Sequence, residues 1–141
     1  MKDGFIKVAA GTPDIKVADC EYNRAEITAL IDRAHAQGVR ILVLPELCIT
    51  GYTCQDLFFQ QELLDGALAA LERITAHTAG MDMLVAVGCP LRFRGELYNC
   101  AVVIKDGNVL GVVPKKFLPN YNEFYEKRQF TPGSTEVETV T

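Results

Sequence analysis

The sequence lacks long hydrophobic runs: none of its apolar stretches approaches the roughly 20 residues needed to cross a bilayer. Its first residues contain neither an extended apolar segment nor a small-residue cleavage site, so we expect a cytoplasmic protein without a signal peptide. Basic clusters are absent and the formal net charge is −4, which gives binding to nucleic acid or to an anionic membrane no electrostatic support. The remaining composition is ordinary, and 141 residues suit a single domain over residues 1–141.

Cysteine is present, but in a pattern that argues against its common structural uses. The count of five is odd, the spacing is irregular and no CxxC pair occurs, which does not fit a disulfide framework. With only two histidines, a metal site is not expected. A nucleophilic thiol would need a lowered pKa or an adjacent base, and no cysteine has such a neighbour in sequence. We therefore expect reduced, buried thiols at Cys20, Cys48, Cys54, Cys89 and Cys100.

The first part of the chain has the pattern of a βαβ unit. Residues 5–10 predict a strand, and Asn23 followed by Glu26 resembles a capping box that begins a helix. Gly38 is placed to end that helix as a left-handed residue. The continuous apolar run 41–44 is typical of a strand buried on both faces. Strand, helix and strand in this order predict a parallel pair.

The second part predicts a mixed sheet. Residues 63–74 have helical periodicity, 83–87 form another apolar run, and strands at 98–105 and 109–113 flank the hairpin turn Asp106-Gly107-Asn108. Residues 136–141 alternate like the opening of a further strand. The expected class is α/β, and the unfinished last strand suggests a piece of a longer protein.

Glu46 directly follows the apolar run 41–44 and Pro45. Ligands of open α/β sheets gather at the carboxyl ends of strands, and a partly desolvated carboxylate there is a suitable general base. Alternatively, Glu46 caps the following loop or pairs with a surface cation, and placement alone favours that structural role.

Lys115 and Lys116 end the second strand of the predicted hairpin. Alternation places the two side chains on opposite faces, so at most one can point into a site. A fixed ammonium beside a carboxylate base can stabilise an oxyanion. Two lysines can also protect the unpaired backbone of an edge strand from pairing with another chain, and alternation alone favours this structural role.

An aromatic and polar segment, residues 120–130, follows these lysines. Its rings can wall a small polar pocket, or they can hold a long loop against the body of the domain. The sequence leaves both interpretations open.

Two segments together resemble a known family: LPELCITGYT at 44–53 and PKKFLPNYNEFYEKRQF at 114–130 are similar to the nitrilase, or carbon–nitrogen hydrolase, superfamily. The longer pattern PKxxLPNYxxFYExRxF looks most like the amidase domain found in glutamine-dependent NAD⁺ synthetases. The resemblance implies the first half of an α-β-β-α sandwich with a mixed sheet, and a Glu–Lys–Cys triad.

By this resemblance, Glu46 matches the family's general base, and Lys115 matches its catalytic lysine. Tyr52 and Tyr121 match tyrosines that line the glutamine site, and Phe124 is expected to line it as well. None of the five cysteines matches the nucleophile, which in the family follows a later strand, beyond residue 141.

The resemblance also implies L-glutamine as substrate and a homo-oligomer. Ammonia would pass to a synthetase domain in the rest of the polypeptide that uses ATP and Mg²⁺, and no cofactor is expected in residues 1–141. Two alternatives are a stand-alone nitrilase-type amidase acting on another small amide and an inactive piece without its nucleophile. Because triad residues act as a unit, we expect little activity from this chain alone.

Overall fold

The computed structural model describes residues 3–139. One five-stranded sheet, with strands in sequence order across it, packs its apolar side chains against two long helices. The elements in chain order are β1 (Val8–Ala10), α1 (Cys20–Ala36), β2 (Ile41–Val43), a 3₁₀ helix (Gln55–Phe59), α2 (Gln61–His77), β3 (Leu84–Phe93), β4 (Glu96–Lys105), β5 (Asn108–Pro114) and α3 (Glu126–Gln129).

The sheet is mixed, as predicted. β1, β2 and β3 are parallel, and the chain crosses between them through α1 and α2. β3, β4 and β5 form antiparallel hairpins. The βαβ unit and the hairpin at Asp106-Gly107 are thereby confirmed, as is the α/β class.

Helix α1 begins earlier than the sequence predicted. The side chain of Asp19 accepts a hydrogen bond from the Tyr22 N–H at 3.0 Å and caps the helix, so the capping box at Asn23 is wrong. Asn23 is fully buried inside the helix and binds backbone groups of Lys16 and Ile49 instead. Gly38 follows the last turn at φ +75°, the left-handed residue expected there.

Strand β3 runs six residues beyond the predicted end at residue 87. β2 ends at Val43, so the far part of β3 pairs only with β4. A strand paired on one side tolerates Pro90, which cannot donate to a second ladder. The turn between β3 and β4 uses positive φ at Arg94 and Gly95 and was not predicted.

The two faces of the sheet have different surroundings. Leu42 and Val102 are buried against the helices, whereas Val43 and Val113 are 50% and 60% exposed. One helical layer and one sheet with a solvent-exposed second face make the first half of an α-β-β-α sandwich, as the resemblance implies.

The β4–β5 ladder contains a bulge. Val103 pairs with Gly111, but Ile104 pairs with Val109, so Leu110 is an extra residue on β5. Beyond the bulge, Cys100 pairs with Pro114.

The strand predicted at residues 136–141 is not formed over 136–139, and residues 140–141 lie outside the described part. The described portion is exposed, and alternation alone does not supply the neighbouring strand that would pair its backbone. Within residues 3–139, no helix combines the length and apolar character of a membrane span.

Candidate active site

An ammonium and two carboxylates meet at the carboxyl end of β2. The Nζ atom of Lys115 lies 2.7 Å from Oε1 of Glu46 and 2.9 Å from Oε1 of Glu126. Glu46 follows β2, Lys115 follows β5, and Glu126 begins α3, so three separate elements supply the cluster. The proximity expected for Glu46 and Lys115 is observed, while their catalytic roles remain predictions.

Asn99 on β4 completes the cluster. Its Nδ2 donates to Oε1 of Glu46 and, at 3.5 Å, to Oε2 of Glu126. The Asn99 carbonyl accepts a hydrogen bond from the Lys115 N–H at 2.7 Å, which extends the β4–β5 ladder by one residue. The backbone that orients Asn99 therefore also fixes Lys115.

Glu126 is the most buried charged residue of the cluster, with 5% of its surface exposed. Besides Lys115 and Asn99, it accepts a hydrogen bond from the Tyr52 hydroxyl at 2.7 Å. Burial and then the Glu126 carboxylate raise the pKa of Tyr52, so the phenol stays protonated and donates. Donors from three residues thus stabilise the buried charge of Glu126.

Lys115 remains charged in this setting. Partial burial alone would lower its pKa, but hydrogen bonds to Glu46 and Glu126 and the charges of both carboxylates outweigh that effect. The pKa of Lys115 is therefore raised, and its ammonium is available to face a developing negative charge.

Close backbone packing holds the loop that carries Glu46. A Cβ atom on Gly88 of β3 would lie 2.5 Å from the Pro45 carbonyl oxygen and 2.8 Å from the Glu46 carbonyl carbon. Only glycine permits this approach. Leu47, next to Glu46, is fully buried and has a φ of +51°, which places local backbone strain beside the site.

The aromatic residues divide between a cavity wall and the core. Tyr52 and Phe124 line a cavity of about 260 Å³ that reaches Glu126, with their ring centroids 6.3 Å apart. Tyr121 packs on Phe124 at 5.7 Å, but it is 64% exposed and does not line that cavity. Phe130 is buried against Phe58 and anchors the segment. Within residues 120–130, Phe124 therefore walls a cavity, whereas Phe130 holds the segment against the body of the domain.

A second cavity, of about 330 Å³, lies on the sheet side of the cluster. Glu46, Asn99 and Lys115 line it together with Gly88 and Val113. The charged cluster thus stands between two cavities, one aromatic and one bordered by the exposed sheet face.

The five cysteines are buried, as expected. Burial raises the pKa of Cys48 to about 11 and that of Cys100 to about 12. The pKa values of Cys20, Cys54 and Cys89 are raised as well, each chiefly by burial. Neutral, shielded thiols are poor nucleophiles, so the burial is confirmed and the low reactivity of these cysteines stays a prediction.

Several positions that shape the site were not singled out as site residues from the sequence. Asn99 lies inside a predicted strand, and Gly88 follows the predicted end of another. Glu126 belongs to the pattern that carries the family resemblance, which was the available signal for it. Lys116 is exposed, with its Nζ 5.7 Å from the Phe117 ring centroid, and takes no part in the cluster.

Among the described residues 3–139, no group of three or more His, Cys, Asp or Glu side chains is arranged to hold a metal ion. ATP and Mg²⁺, which the resemblance assigns to another domain, stay a prediction about the rest of the polypeptide.

Sequence comparison finds glutamine-dependent NAD(+) synthetases among the related proteins. A glutamine-dependent NAD(+) synthetase of Mycobacterium bovis is 42% identical over 137 residues, which are 97% of this chain and 20% of that protein. Another, from Aquifex aeolicus, is 40% identical over 117 residues, covering 83% of this chain and 20% of the relative. The chain therefore spans about a fifth of the length of these relatives.

Solved structures agree with the fold. A glutamine-dependent NAD(+) synthetase from Cytophaga hutchinsonii superposes with a TM-score of 0.89 at 35% identity, over 96% of this chain and 23% of that one. An amidase from Nesterenkonia sp. superposes with a TM-score of 0.79 at 22% identity, over the whole of this chain and 53% of the amidase. The second likeness shows the shared fold alone.

Residues 7–141 match the carbon-nitrogen hydrolase family. That match covers nearly the whole chain and includes Glu46, Asn99, Lys115 and Glu126. The chain belongs to the carbon-nitrogen hydrolase family.

Proposed function

We propose that this chain is the N-terminal part of a glutaminase domain in a glutamine-dependent NAD⁺ synthetase. The observation that carries the proposal is the contact of Lys115 with Glu46 at the mouth of a cavity, in a chain related to such synthetases. A base and an oxyanion-stabilising cation side by side suit acyl transfer.

In the proposed reaction, a cysteine thiol from another part of the polypeptide attacks the side-chain amide carbon of L-glutamine. Glu46 accepts the thiol proton and delivers it to the departing ammonia, while Lys115 stabilises the oxyanion. Water then attacks the thioester, with Glu46 taking the water proton and returning it to the thiol as glutamate leaves. Covalent catalysis replaces one difficult hydrolysis by two easier steps.

Substrate binding is assigned to the aromatic residues. Tyr52 and Phe124 form a wall beside Glu126, and Tyr121 stands next to Phe124 at the rim. Apolar walls with a few placed polar groups are typical of pockets for small molecules. The glutamine side chain would lie against this wall.

The ammonia is proposed to pass to a synthetase domain that uses ATP and Mg²⁺ to convert nicotinic acid adenine dinucleotide into NAD⁺. The residues of this chain bind and hydrolyse glutamine in this scheme, and no step of the nucleotide chemistry is assigned to them.

The test uses the complete natural polypeptide that carries these residues, with glutamine or ammonium as the nitrogen source. Glu46→Gln should lower the rate of glutamine-driven NAD⁺ formation by about a hundredfold or more and leave the rate of ammonium-driven formation unchanged. Hydrolysis of a different small amide with no use of nucleotide would instead identify a stand-alone amidase. Absence of hydrolysis would favour an inactive protein.

A further inference from the structure

Asn99 is a buried neutral residue placed between two carboxylates. Only 3% of its surface is exposed, and its Nδ2 contacts Oε1 of Glu46 and Oε2 of Glu126. An ionised carboxylate only accepts hydrogen bonds, whereas an amide nitrogen carries two protons. The geometry therefore uses both amide protons, one for each carboxylate.

The hydrogen bonds to Glu46 are one-sided. Lys115 and Asn99 both reach Oε1, and no donor among residues 3–139 reaches Oε2. Two donors on one oxygen fix the orientation of the carboxylate, and the other oxygen keeps its lone pairs for an incoming proton.

The charge of the cluster also matters. One ammonium faces two carboxylates, so a second donor is needed to offset their mutual repulsion. A second cation in the place of Asn99 would make Glu46 a weaker base, because positive charge favours the ionised form. An amide supplies the hydrogen bonds without adding that charge.

We infer that Asn99 is a positioning residue, whose amide bridges Glu46 and Glu126 and leaves Oε2 of Glu46 free as the proton acceptor. The inference rests on the proposed function for the role of Glu46 as base. The orientation of the Glu46 carboxylate can be tested without assuming that function.

Two substitutions of Asn99 in the complete polypeptide separate the loss of its hydrogen bonds to Glu46 and Glu126 from the effect of an added charge. Asn99→Leu removes both donors at similar volume, and Asn99→Asp also adds a negative charge. The matched control is Asn23→Asp, the same change at the other fully buried asparagine, which binds only backbone groups. It should lower the melting temperature without moving the pH profile.

For Asn99→Leu we expect kcat with glutamine to fall about ten- to a hundredfold, with a smaller change in KM, because hydrogen bonds to a charged group are lost. In Asn99→Asp, a third carboxyl group competes for Lys115, while Glu126 and its partner Tyr52 face the same cluster. The acidic limb of kcat/KM should move up by about one pH unit.

Crystal structures of both variants give a readout that does not depend on activity. The Glu46 carboxylate should turn away from its position beside Lys115 in Asn99→Asp and lose its fixed orientation in Asn99→Leu. If glutamine hydrolysis keeps its pH profile and Glu46 stays in place in both variants, the inference is overturned while the proposed function stands. If Glu46 moves in the variants but the unmodified protein does not hydrolyse glutamine, the positioning role stands and the proposed function fails.

Discussion

The Nζ atom of Lys115 and the Oε1 atom of Glu46 lie 2.7 Å apart although 69 residues separate them in sequence. Replacing the ammonium by an apolar side chain of similar length, Lys115→Met, removes the cation that would face the oxyanion. We expect kcat for glutamine in the complete polypeptide to fall about a hundred- to a thousandfold, as in other losses of an oxyanion-stabilising donor. Steady-state assay of glutamate release measures it.

The neighbouring lysine is the control for this change. Lys116 is exposed and outside the cluster, so Lys116→Met should leave kcat within about twofold. An equal loss in both variants would show that the Lys115–Glu46 contact has no special part in turnover.

Glu126→Gln tests the buried carboxylate at the centre of the cluster. The change removes the negative charge that Lys115, Tyr52 and Asn99 stabilise. It also puts an amide NH₂ group, which donates hydrogen bonds, in the place of a carboxylate oxygen that accepts them from these three residues. We expect a loss of about 1–3 kcal/mol in the free energy of unfolding, measured by urea titration. Glu72→Gln, on the exposed surface of α2, should change it by less than about 0.5 kcal/mol. A neutral result at Glu126 would contradict the structure.

Gly88→Ala tests the packing beneath Glu46. The added methyl group would overlap the Pro45 carbonyl and push the loop away from β3. We expect about 1–3 kcal/mol of destabilisation together with a loss of glutaminase activity. Gly111→Ala on β5 meets no atom within 4 Å and should affect neither property. Equal tolerance at both glycines would refute the close approach of the loop.

The native thiols should resist alkylation at neutral pH. With a pKa of about 11, only about one Cys48 side chain in a thousand is a thiolate at pH 8. Iodoacetamide labelling, followed by mass spectrometry of the Cys48 peptide, should be slow in the folded protein, faster as the pH rises towards 11, and fast in urea.

The same pKa shift predicts the direction of a stability change. The folded state binds the Cys48 thiol proton more tightly than the unfolded state does. The contribution of this proton to the free energy of unfolding is therefore fully present below about pH 9, the usual thiol pKa, and is lost as the pH rises towards 11. Rapid labelling of folded Cys48 at pH 7 would disagree with its burial.

Local patterns predicted much of the fold. The apolar runs at 41–44 and 83–87 and the turn at Asp106-Gly107 are local features, and the structure places parallel strands and a hairpin there. The start of α1 was misplaced because Asp19 and Asn23 are both residues that cap helices, and only the tertiary contact of Asn23 with Ile49 decides between them.

The cluster was only partly predictable because its partners depend on strand register. A pattern within β4 does not say which residue of β5 lies opposite Asn99, and charge alone does not show that Glu126 is buried. Glu46 and Lys115 were identified through family resemblance, since placement alone favoured surface roles for both. Gly88 could not be recognised because its importance lies in a loop 41–43 residues earlier in the chain.

The unpaired residue Leu110 sets the register of the charged cluster. If Leu110 paired with Val103 in a regular ladder, every later residue of β5 would move by one position, and Lys115 would stand opposite Tyr98 instead of Asn99. Because neighbouring residues of a strand point to opposite faces, the ammonium would move to the wrong side of the sheet. The bulge therefore keeps Lys115 beside Glu46 and Asn99, and a shortened chain without Leu110 would retain the same partners by forming a regular ladder.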